Sequence, residues 1–512
     1  MRPGSRIAFL FALALATSPA YAAGLPERAP KAEQKRTFIR KALRSRTLEE
    51  PETIRQTIER NSGTPYLRES ESPHEARYLP TGAGSLEQRL RMIESARDSI
   101  DVAYYIYGTS PSGALFTRAL IRKKLENPGI KIRVLVDYYS WDGKPGIDSY
   151  EAAVFAKYGI PVAYFNKAKL AQLWKVSHRD HTKLLVVDGT ELVIGGRNIS
   201  DDSLDFSNEY FNFLDADVWV RGEAAETARQ RVEDVWNHET VARAEPAGPD
   251  DPQYETKVRA AEERMLHAPL LEELRAKVSA EGGRQLDLEP IYQASHVTFV
   301  SDRPERGQAG RVVYPYLLGR LARARSRVTM ENYSYIPTRA LKELFSSLAR
   351  NKVALEVLTN GFGTRGADPR LVYMARPDKE RLIRDGGRVW EFDGRPLPGQ
   401  TYVDPYGSGA PGMYGIHSKQ FRIDEDWTLT GSFNIDYRSA RENGEAMVEI
   451  RSKGLAARVD EVYELRKNGA KELDTGAWTY KDGSHSAGSV SEREYRDGSR
   501  KNWILRFFKF LF

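Results

Sequence analysis

The sequence predicts an α/β fold built from two α/β/α sandwich halves that are related by pseudo-two-fold symmetry and share a site at their interface. Two observations predict this fold. A run of helix, strand, helix and strand occurs twice, and each run is followed by one copy of the pattern His-x-Lys-(x)4-Asp-(x)6-Gly-(Gly/Ser)-x-Asn. Because alternating helices and strands form a sheet that is covered on both faces, each run is typical of one layered half.

The repeated run of elements lies in two predicted halves, residues 81–244 and 296–470. In each half the apolar periodicity indicates a helix, a strand, a second helix and a second strand. Tyr105 and Tyr335 end the first strands, where they either line the cleft or pack in the core. The predicted elements are the helix Leu86–Ala96, the strand Ile100–Ile106, the helix Gly113–Leu125 and the strand Ile132–Asp137, followed in the second half by the helix Tyr316–Ala324, the strand Val328–Ile336, the helix Arg339–Asn351 and the strand Leu355–Asn360.

The repeated pattern itself predicts a β-hairpin, because an apolar run follows Lys183, Asp188-Gly189 is a turn signal, and an apolar run resumes at Leu192. Side chains two apart on a strand share a face, so the His and the Lys of each copy project together. The Asp at the turn faces away, and we expect it to be structural and to bond turn backbone. The pattern residues are His181, Lys183, Asp188, Gly195, Gly196 and Asn198 in the first copy, and His417, Lys419, Asp424, Gly431, Ser432 and Asn434 in the second.

Residues 1–22 have the three-part organisation of a secretory signal peptide. Arg2 and Arg6 precede the apolar run Ile7–Ala16, and Ala20-Tyr21-Ala22 provides a small-residue cleavage site. This apolar run is about half as long as a membrane-spanning helix, which favours cleavage over an uncleaved anchor. We therefore expect an exported, periplasmic protein.

Three further segments flank or join the halves. Residues 23–80 form a polar prefix that is helical or partly disordered, and residues 245–295 form a linker with a helix of its own. Residues 471–512 form a tail that ends in a basic and aromatic segment, Arg500–Phe512. That segment either lies at a lipid interface, which would make the protein peripherally membrane-associated, or docks its apolar face on the protein's own core.

The composition is that of an ordinary globular protein of 512 residues, with 40% hydrophobic and 29% charged residues. The net charge of +6 is small for this length, so it does not by itself indicate a nucleic-acid surface, although it suits an anionic phosphodiester. The chain has no cysteine, which excludes disulfides and thiolate metal sites.

A cluster of two His, two Lys and two Asn side chains suits phosphodiester chemistry. One imidazole can attack phosphorus while a second imidazole donates a proton to the departing oxygen. The ammonium and amide groups can hold the non-bridging oxygens, on which charge must be stabilised in the transition state. We expect these steps to need neither a metal nor another cofactor.

On this duplicated pattern the chain resembles the phospholipase D superfamily, over roughly residues 80–240 and 295–465, and within it bacterial cardiolipin synthase-like proteins. It departs from the membrane synthases by lacking paired transmembrane helices at its amino terminus. The stretches that support the closer resemblance are Asp101–Ile106, Gly195–Ile199, Leu214–Val218 and Val357–Asn360.

The resemblance implies a role for each site residue. One His, which we take to be His181, is the nucleophile that forms a phosphohistidine, and His417 is then the general acid and later the base. The family also places an acidic residue downstream of each motif that hydrogen-bonds the His and selects its tautomer. The residues 28 positions after each His are Glu209 and Glu445.

For function, the resemblance implies a phosphatidyltransferase or phospholipase that acts on phospholipid at a membrane surface, with an alcohol or water as acceptor and with no second subunit required. A phospholipase D-family nuclease or another phosphodiesterase is the alternative, and it would favour a stronger positive charge than +6. A binding protein that keeps only the fold would have lost a catalytic group, whereas every expected one is present.

Overall fold

The computed structural model describes residues 68–70, 73–138, 146–167, 178–207, 211–305, 310–364, 366, 368–397, 403, 412–474 and 479–484. The predicted signal peptide, most of the prefix and the segment Arg500–Phe512 lie outside these ranges. The strands are β1 Arg68–Ser70, β2 His74–Leu79, β3 Ser99–Tyr104, β4 Lys131–Asp137, β5 Val162–Phe165, β6 Lys183–Val187, β7 Glu191–Gly195, β8 Asn212–Leu214, β9 Asp217–Arg221, β10 Val241–Arg243, β11 Tyr292–Ala294, β12 His296–Ser301, β13 Arg327–Asn332, β14 Ala354–Asn360, β15 Arg388–Phe392, β16 Tyr414–Ile416, β17 Lys419–Ile423, β18 Trp427–Gly431, β19 Ala446–Arg451 and β20 Ala470–Glu472. The α-helices are α1 Gly82–Ser95, α2 Pro111–Glu126, α3 Ser149–Lys157, α4 Glu223–Trp236, α5 Tyr254–Glu262, α6 Leu270–Leu288, α7 Val313–Leu321, α8 Arg339–Arg350, α9 Pro369–Arg384, α10 Tyr437–Arg441 and α11 Lys453–Lys467, with a π-helical turn Glu263–His267 between α5 and α6.

Two nine-stranded sheets carry the pseudo-symmetry that the sequence predicted. Seven strands of the first sheet run in the order β5-β4-β3-β6-β7-β9-β2, and seven of the second run in the matching order β15-β14-β13-β17-β18-β19-β12. In both sheets the first three strands are parallel to one another, and each later neighbour is antiparallel. The fold class is therefore confirmed, with two copies of one α/β unit.

All eight predicted helices and strands are present, with shifted bounds. α1 begins at Gly82 rather than at Leu86, because Thr81 caps it by accepting a hydrogen bond from the Gly84 N–H at 3.3 Å. β3 ends at Tyr104 rather than at Ile106, because the Ile106 N–H donates to the side chain of Asn198 instead of continuing the ladder.

The two halves share one apolar core. Ala216 and Val218 of the first sheet belong to the same buried cluster as Ala446 and Val448 of the second. Helices also cross between the halves, since α4 packs against β1 and β12 while α11 packs against β2. Because this shared face removes apolar surface from water, it joins the halves into one body.

The boundaries of the first half differ from the prediction. β2 lies in the range assigned to the polar prefix, yet it pairs with β9 inside the first sheet. The linker helices also belong with this half, because Arg275 of α6 forms an ion pair with Glu87 of α1 at 2.8 Å. In the ranges given above, no helix combines the length and the apolar character that crossing a membrane would require.

Candidate active site

Both copies of the pattern form the predicted hairpin. β6 pairs with β7 and β17 pairs with β18, antiparallel in each case. At the turns, Asp188, Gly189 and Asp424 have φ values of 53°, 64° and 53°, which is the left-handed region that tight hairpin turns require. The duplicated pattern is therefore a duplicated structure.

Asp188 and Asp424 bond backbone N–H groups, but these groups lie outside the turn backbone that the sequence predicted. The carboxylate of Asp188 accepts hydrogen bonds from the backbone N–H groups of Arg97, Asp98 and Ser99, at 2.9, 2.7 and 2.8 Å. Asp424 accepts in the same way from residues 325–327. Each Asp thus holds the loop that enters the neighbouring strand, rather than the backbone of its own turn.

His181 is held by the second half of the chain. Its Nδ1 lies 3.2 Å from the carbonyl oxygen of Ser432 and 3.1 Å from Oε2 of Glu445. Because a carbonyl oxygen can only accept, Nδ1 carries the proton and Nε2 keeps its lone pair. Burial lowers the pKa of His181 well below its usual value, and the charges of Lys183 and Lys419 lower it further.

His417 is held by the first half, because its Nδ1 lies 2.5 Å from Oδ2 of Asp215. Burial and then the charge of Lys419 lower the pKa of His417 to about 3, against the opposing effect of Asp215. Burial alone would raise the pKa of Asp215, but the charges of His417 and Lys419 hold it below the usual range. Asp215 is therefore an ionised acceptor for His417.

The carboxylate partners correct one prediction. Glu445 contacts a pattern His, as expected, but Glu209 lies outside the described residues and the partner of His417 is Asp215. Asp215 and Glu445 are structural equivalents, because the residue after each, Ala216 or Ala446, has a carbonyl that accepts from the matching hairpin corner. The first half has six more residues than the second between His and carboxylate (34 against 28), so a constant count misses Asp215. Asp215 and Glu445 each begin the sequence acidic residue-Ala-x-Val, and this shared pattern could have identified Asp215 as the partner.

The two lysines lie behind the histidines. Lys183 Nζ donates to the carbonyl oxygen of His181 at 2.6 Å, and Lys419 Nζ donates to that of His417. Burial and then the charge of Lys419 lower the pKa of Lys183 to about 7, and burial lowers the pKa of Lys419 to about 8. Two ammonium groups this close favour an anion between them.

The hairpin corners at Gly196 and Ser432 lie against the carboxylates of Asp215 and Glu445. A Cβ at Gly196 would lie 2.2 Å from Oδ1 of Asp215, so only glycine fits at this corner. In the second half the same corner is Ser432, whose hydroxyl donates to Oε2 of Glu445 at 2.5 Å. Burial raises the pKa of Glu445 to about 7, although Lys183 opposes the shift.

Gly195 and Gly431 precede these corners, and both lie tightly against the neighbouring strand. A Cβ at Gly195 would lie 2.0 Å from Oδ1 of Asp217, and one at Gly431 would lie 2.2 Å from the carbonyl oxygen of Ala446. The two Asn residues differ. Asn198 Oδ1 accepts from the Ile106 N–H at 3.3 Å, whereas Asn434 Oδ1 is buried without a hydrogen-bond partner among the described residues.

A cavity of about 1140 Å³ joins these residues, with His181, His417, Asn198 and Asn434 in its wall. The sequence analysis missed several neighbours that also line it, among them Arg438, Asn443, Phe213 and Tyr333. Tyr105 lines the cavity with its ring 4.9 Å from that of His181. Tyr335 packs in the core against Phe345, and the residue that matches Tyr105 is Tyr333, because the bridge Tyr335↔Ile435 corresponds to the bridge Tyr107↔Ile199.

The site combines two imidazoles and two amides around one space, with a carboxylate on each imidazole and two buried ammonium groups behind the imidazoles. This set can hold a phosphate oxygen while one imidazole attacks phosphorus and the other moves a proton. Within the part of the chain that the structure describes, no three His, Asp or Glu side chains are grouped so as to hold a metal ion.

Comparison with known families and proteins gives concordant findings. The family model "Cardiolipin synthase, PLD-like domain" matches residues 90–236 and 317–466, more than half of the chain. Cardiolipin synthase C of Escherichia coli (strain K12) is 25% identical over 420 residues, which cover 76% of this chain and 84% of that protein. An uncharacterized protein of Helicobacter pylori is 27% identical over 430 residues, covering 77% and 79%.

Among solved structures, phosphatidylserine synthase of Haemophilus influenzae Rd KW20 matches with a TM-score of 0.61 at 14% sequence identity. The match covers 90% of this chain and all of that one. At this identity the likeness establishes a shared fold.

Proposed function

The chain belongs to the cardiolipin synthase, PLD-like domain family and is an enzyme of the phospholipase D type, and we propose that it transfers the phosphatidyl group of a phospholipid through a phosphohistidine on His181. The observation that carries this proposal is the crossed pairing of the histidines. Each half supplies one His to the cavity, and the opposite half supplies the carboxylate on its Nδ1. That arrangement leaves Nε2 of both rings for chemistry.

In the first step, the lone pair of His181 Nε2 forms a bond to phosphorus, and the bond from phosphorus to the headgroup oxygen breaks. His417 donates its Nε2 proton to that oxygen, so the headgroup leaves as a neutral alcohol. Lys183, Lys419 and the Asn amides stabilise the charge on the non-bridging oxygens.

In the second step, His417 is the base. It takes the proton of an acceptor hydroxyl, whose oxygen attacks phosphorus while the bond from phosphorus to His181 breaks. Both histidines return to their starting states, and one phosphodiester has been exchanged for another, or for phosphatidic acid when the acceptor is water.

His417 must be protonated for the first step, although burial and Lys419 lower its pKa to about 3. A bound phosphodiester carries a negative charge, which favours the imidazolium and opposes this depression. The ionised Asp215 on Nδ1 acts in the same direction. Substrate binding therefore prepares the acid for its task.

The surroundings of His417 support an alcohol as acceptor. The ring of Phe213 lies 4.6 Å from the imidazole and that of Tyr333 lies 5.4 Å away. Aromatic rings around the base disfavour ordered water and leave room for the apolar part of a lipid alcohol.

The first experiment incubates the purified protein with vesicles of phosphatidylglycerol and phosphatidylethanolamine and analyses the lipids by mass spectrometry. Cardiolipin or an exchanged headgroup, absent with His181→Ala, is the expected result. The matched control is His238→Ala, because His238 bonds Thr240 locally and takes no part in the cavity. Phosphatidic acid alone would restrict the function to hydrolysis, and unchanged lipids would refute a lipid substrate and direct the test to nucleic acid.

We also propose that the protein is exported, because its sequence begins with the signal-peptide pattern of Arg2, Arg6, the apolar run Ile7–Ala16 and small residues before Ala23. These residues lie outside the described ranges, so the proposal depends on the sequence alone. We expect the protein recovered from the periplasmic fraction to begin at Ala23, and mass spectrometry of its N-terminal peptide tests this. A full-length chain retained with the cytoplasm would contradict export.

A further inference from the structure

Arg438 is a cavity-lining arginine whose guanidinium has no carboxylate partner among the described residues. It lies on the short helix α10, and its side chain is half-buried at the edge of the cavity. Its Nε is buried without a hydrogen-bond partner, and Arg438 forms no ion pair with any described residue. A buried polar group in this state is unfavourable unless a ligand completes it.

The other two arginines in the cavity wall are already engaged. Arg179 Nη1 lies 3.2 Å from Oδ1 of Asp137, and Arg370 Nη2 lies 2.5 Å from Oδ2 of Asp368. Both carboxylates neutralise the nearby guanidinium. Among the arginines that line the described cavity, Arg438 therefore offers its charge to a ligand.

The position of Arg438 breaks the symmetry of the two halves. It follows Asn434 by four residues, and the residue four after Asn198 is Asp202, which also lines the cavity. Asp202 is satisfied locally, because its Oδ1 accepts from the hydroxyl groups of Ser200 at 2.5 Å and Ser203 at 3.3 Å. At this position the cavity is therefore lined by a carboxylate from the first half and by a guanidinium from the second.

Arg438 lies on the side of His181. The charge of Arg438 acts on both His181 and Tyr105, whose rings are in contact. The amide side chains of Asn434 and Asn443 also line the cavity. An anion at this place would meet a guanidinium that is free to donate.

We propose that Arg438 binds a phosphate group of the bound lipid beside His181, whereas the matching position of the first half holds Asp202. This inference rests on the proposed function and adds a residue to it. A guanidinium presents a fork of N–H donors that matches two phosphate oxygens. The phosphate is either the reacting phosphodiester or a second phosphate carried by the acceptor alcohol, as in a phosphatidylglycerol acceptor.

The first test measures binding of inorganic phosphate by calorimetry, without any turnover, to the full-length wild type, Arg438→Gln, Arg438→Lys and Arg441→Gln. Arg441 is the matched control, because it lies on the same helix, is exposed and stacks on Tyr437. Arg438→Gln is expected to raise the Kd for phosphate about 10- to 100-fold. Arg438→Lys should fall between, and Arg441→Gln should match the wild type.

An unchanged Kd in Arg438→Gln would overturn the proposal, as would an equal change in Arg441→Gln. A lower melting temperature without phosphate, together with an unchanged Kd, would make Arg438 purely structural and would also overturn it. Because binding needs no turnover, these results remain distinct from a failure of the proposed function, in which the wild type changes no lipid.

The second test identifies the phosphate source by activity on a short-chain phosphatidylcholine donor. Hydrolysis by water is compared with transfer to glycerol and with transfer to glycerol 3-phosphate. If kcat/KM in Arg438→Gln falls equally in all three reactions, Arg438 holds the reacting phosphate. If it falls only with glycerol 3-phosphate, through a higher KM for that acceptor, Arg438 holds the second phosphate. If Arg438→Gln keeps wild-type kinetics in all three reactions, both sources of the phosphate are contradicted.

Discussion

His181 and His417 occupy matching positions in matching hairpins, yet their surroundings differ. His181 has one aromatic neighbour, Tyr105, together with the Ser432 carbonyl and Glu445 on its Nδ1 and Arg438 within electrostatic reach. His417 has two aromatic neighbours, Phe213 and Tyr333, with an ionised Asp215 on its Nδ1. The duplicated pattern therefore sets where the two imidazoles are, and residues outside the pattern set what each imidazole can do.

This difference supports the assigned order of roles. An imidazole beside cationic groups meets the anionic phosphodiester, which suits the nucleophile. An imidazole with an ionised carboxylate on Nδ1 is better able to hold and return a proton, which suits the acid and base.

The largest effect is expected from His181→Ala and His417→Ala, each of which should lower phospholipid turnover by about 10⁴-fold or more. A lipid with a p-nitrophenyl leaving group separates the two. That group leaves without a proton donor, so His417→Ala should release one equivalent of p-nitrophenol per enzyme and then stall at the phosphohistidine. His181→Ala should release none.

The release is followed in a stopped-flow spectrophotometer, and the adduct is located by mass spectrometry of the quenched protein. His238→Ala, which leaves the cavity intact, is the control and should turn over like the wild type. A burst in His181→Ala with none in His417→Ala would reverse the roles.

The next effect concerns the crossed carboxylates. Asp215→Asn should lower kcat by about 10³-fold, because an amide cannot stabilise the imidazolium of His417. Glu445→Gln should cost only about 10- to 100-fold near pH 7, because burial raises the pKa of Glu445 to about 7 and it is already partly protonated there. The loss in Glu445→Gln should grow as the pH rises through 7, where the wild-type carboxyl ionises.

A pH profile of kcat for the three proteins is the measurement. Equal losses in the two variants at every pH would remove the distinction between the two carboxylates. A loss in Glu445→Gln that shrinks above pH 7 would mean that the protonated form of Glu445 is the active one.

The contrast between Asp215 and Glu445 also marks what the sequence could predict. The pattern itself predicted both hairpins, both histidines and both lysines, because a period-two strand places His and Lys on one face whatever surrounds it. Glu445 was found by counting, whereas Asp215 was missed because six additional residues precede it in the first half. A count along the chain does not tell which strand lies beside the hairpin corner. Only the pairing of the strands shows that.

Arg438, Phe213 and Tyr333 were missed for a related reason. Phe213 and Arg438 each approach a histidine of the opposite half, and only the packing of one half on the other places them there. Tyr333 approaches His417 through the pairing of β13 with β17 within the second sheet. Tyr335 was singled out in place of Tyr333, because the end of β13 was predicted four residues beyond Asn332, where the strand ends. A strand ends where side chains take over the hydrogen bonds of its backbone, and apolar periodicity does not show where this happens.

A smaller effect is expected on stability at acid pH. The folded-state pKa of His417 is lowered to about 3, so this group contributes stability that is present above its unfolded pKa near 6.5 and is lost as the pH falls below that value. Between pH 7 and pH 5 the wild type should therefore lose about 2 kcal/mol more unfolding free energy than His417→Gln. Urea denaturation at the two pH values measures it.

The stability that Glu445 contributes changes with pH in the opposite direction. Its folded-state pKa is raised to about 7, so it contributes stability that is fully present below its unfolded pKa near 4.5 and is lost as the pH rises to 7. The wild type should lose stability relative to Glu445→Gln over that upward interval. Parallel pH profiles for His417→Gln and Glu445→Gln would contradict both assignments.

The smallest effect on activity is expected where the two halves are alike. Asp188→Ala and Asp424→Ala each remove acceptors for the loop that enters the neighbouring strand, so each should lower the unfolding free energy by about 1–3 kcal/mol. Because neither side chain lines the cavity, kcat at 25 °C should stay within about twofold of the wild type. Asp98→Ala, at an exposed carboxylate in the same loop, is the control and should change stability by less than about 0.5 kcal/mol. A loss of activity in Asp188→Ala alone would give this residue a role in the reaction and would extend the asymmetry of the histidines to the turns that carry them.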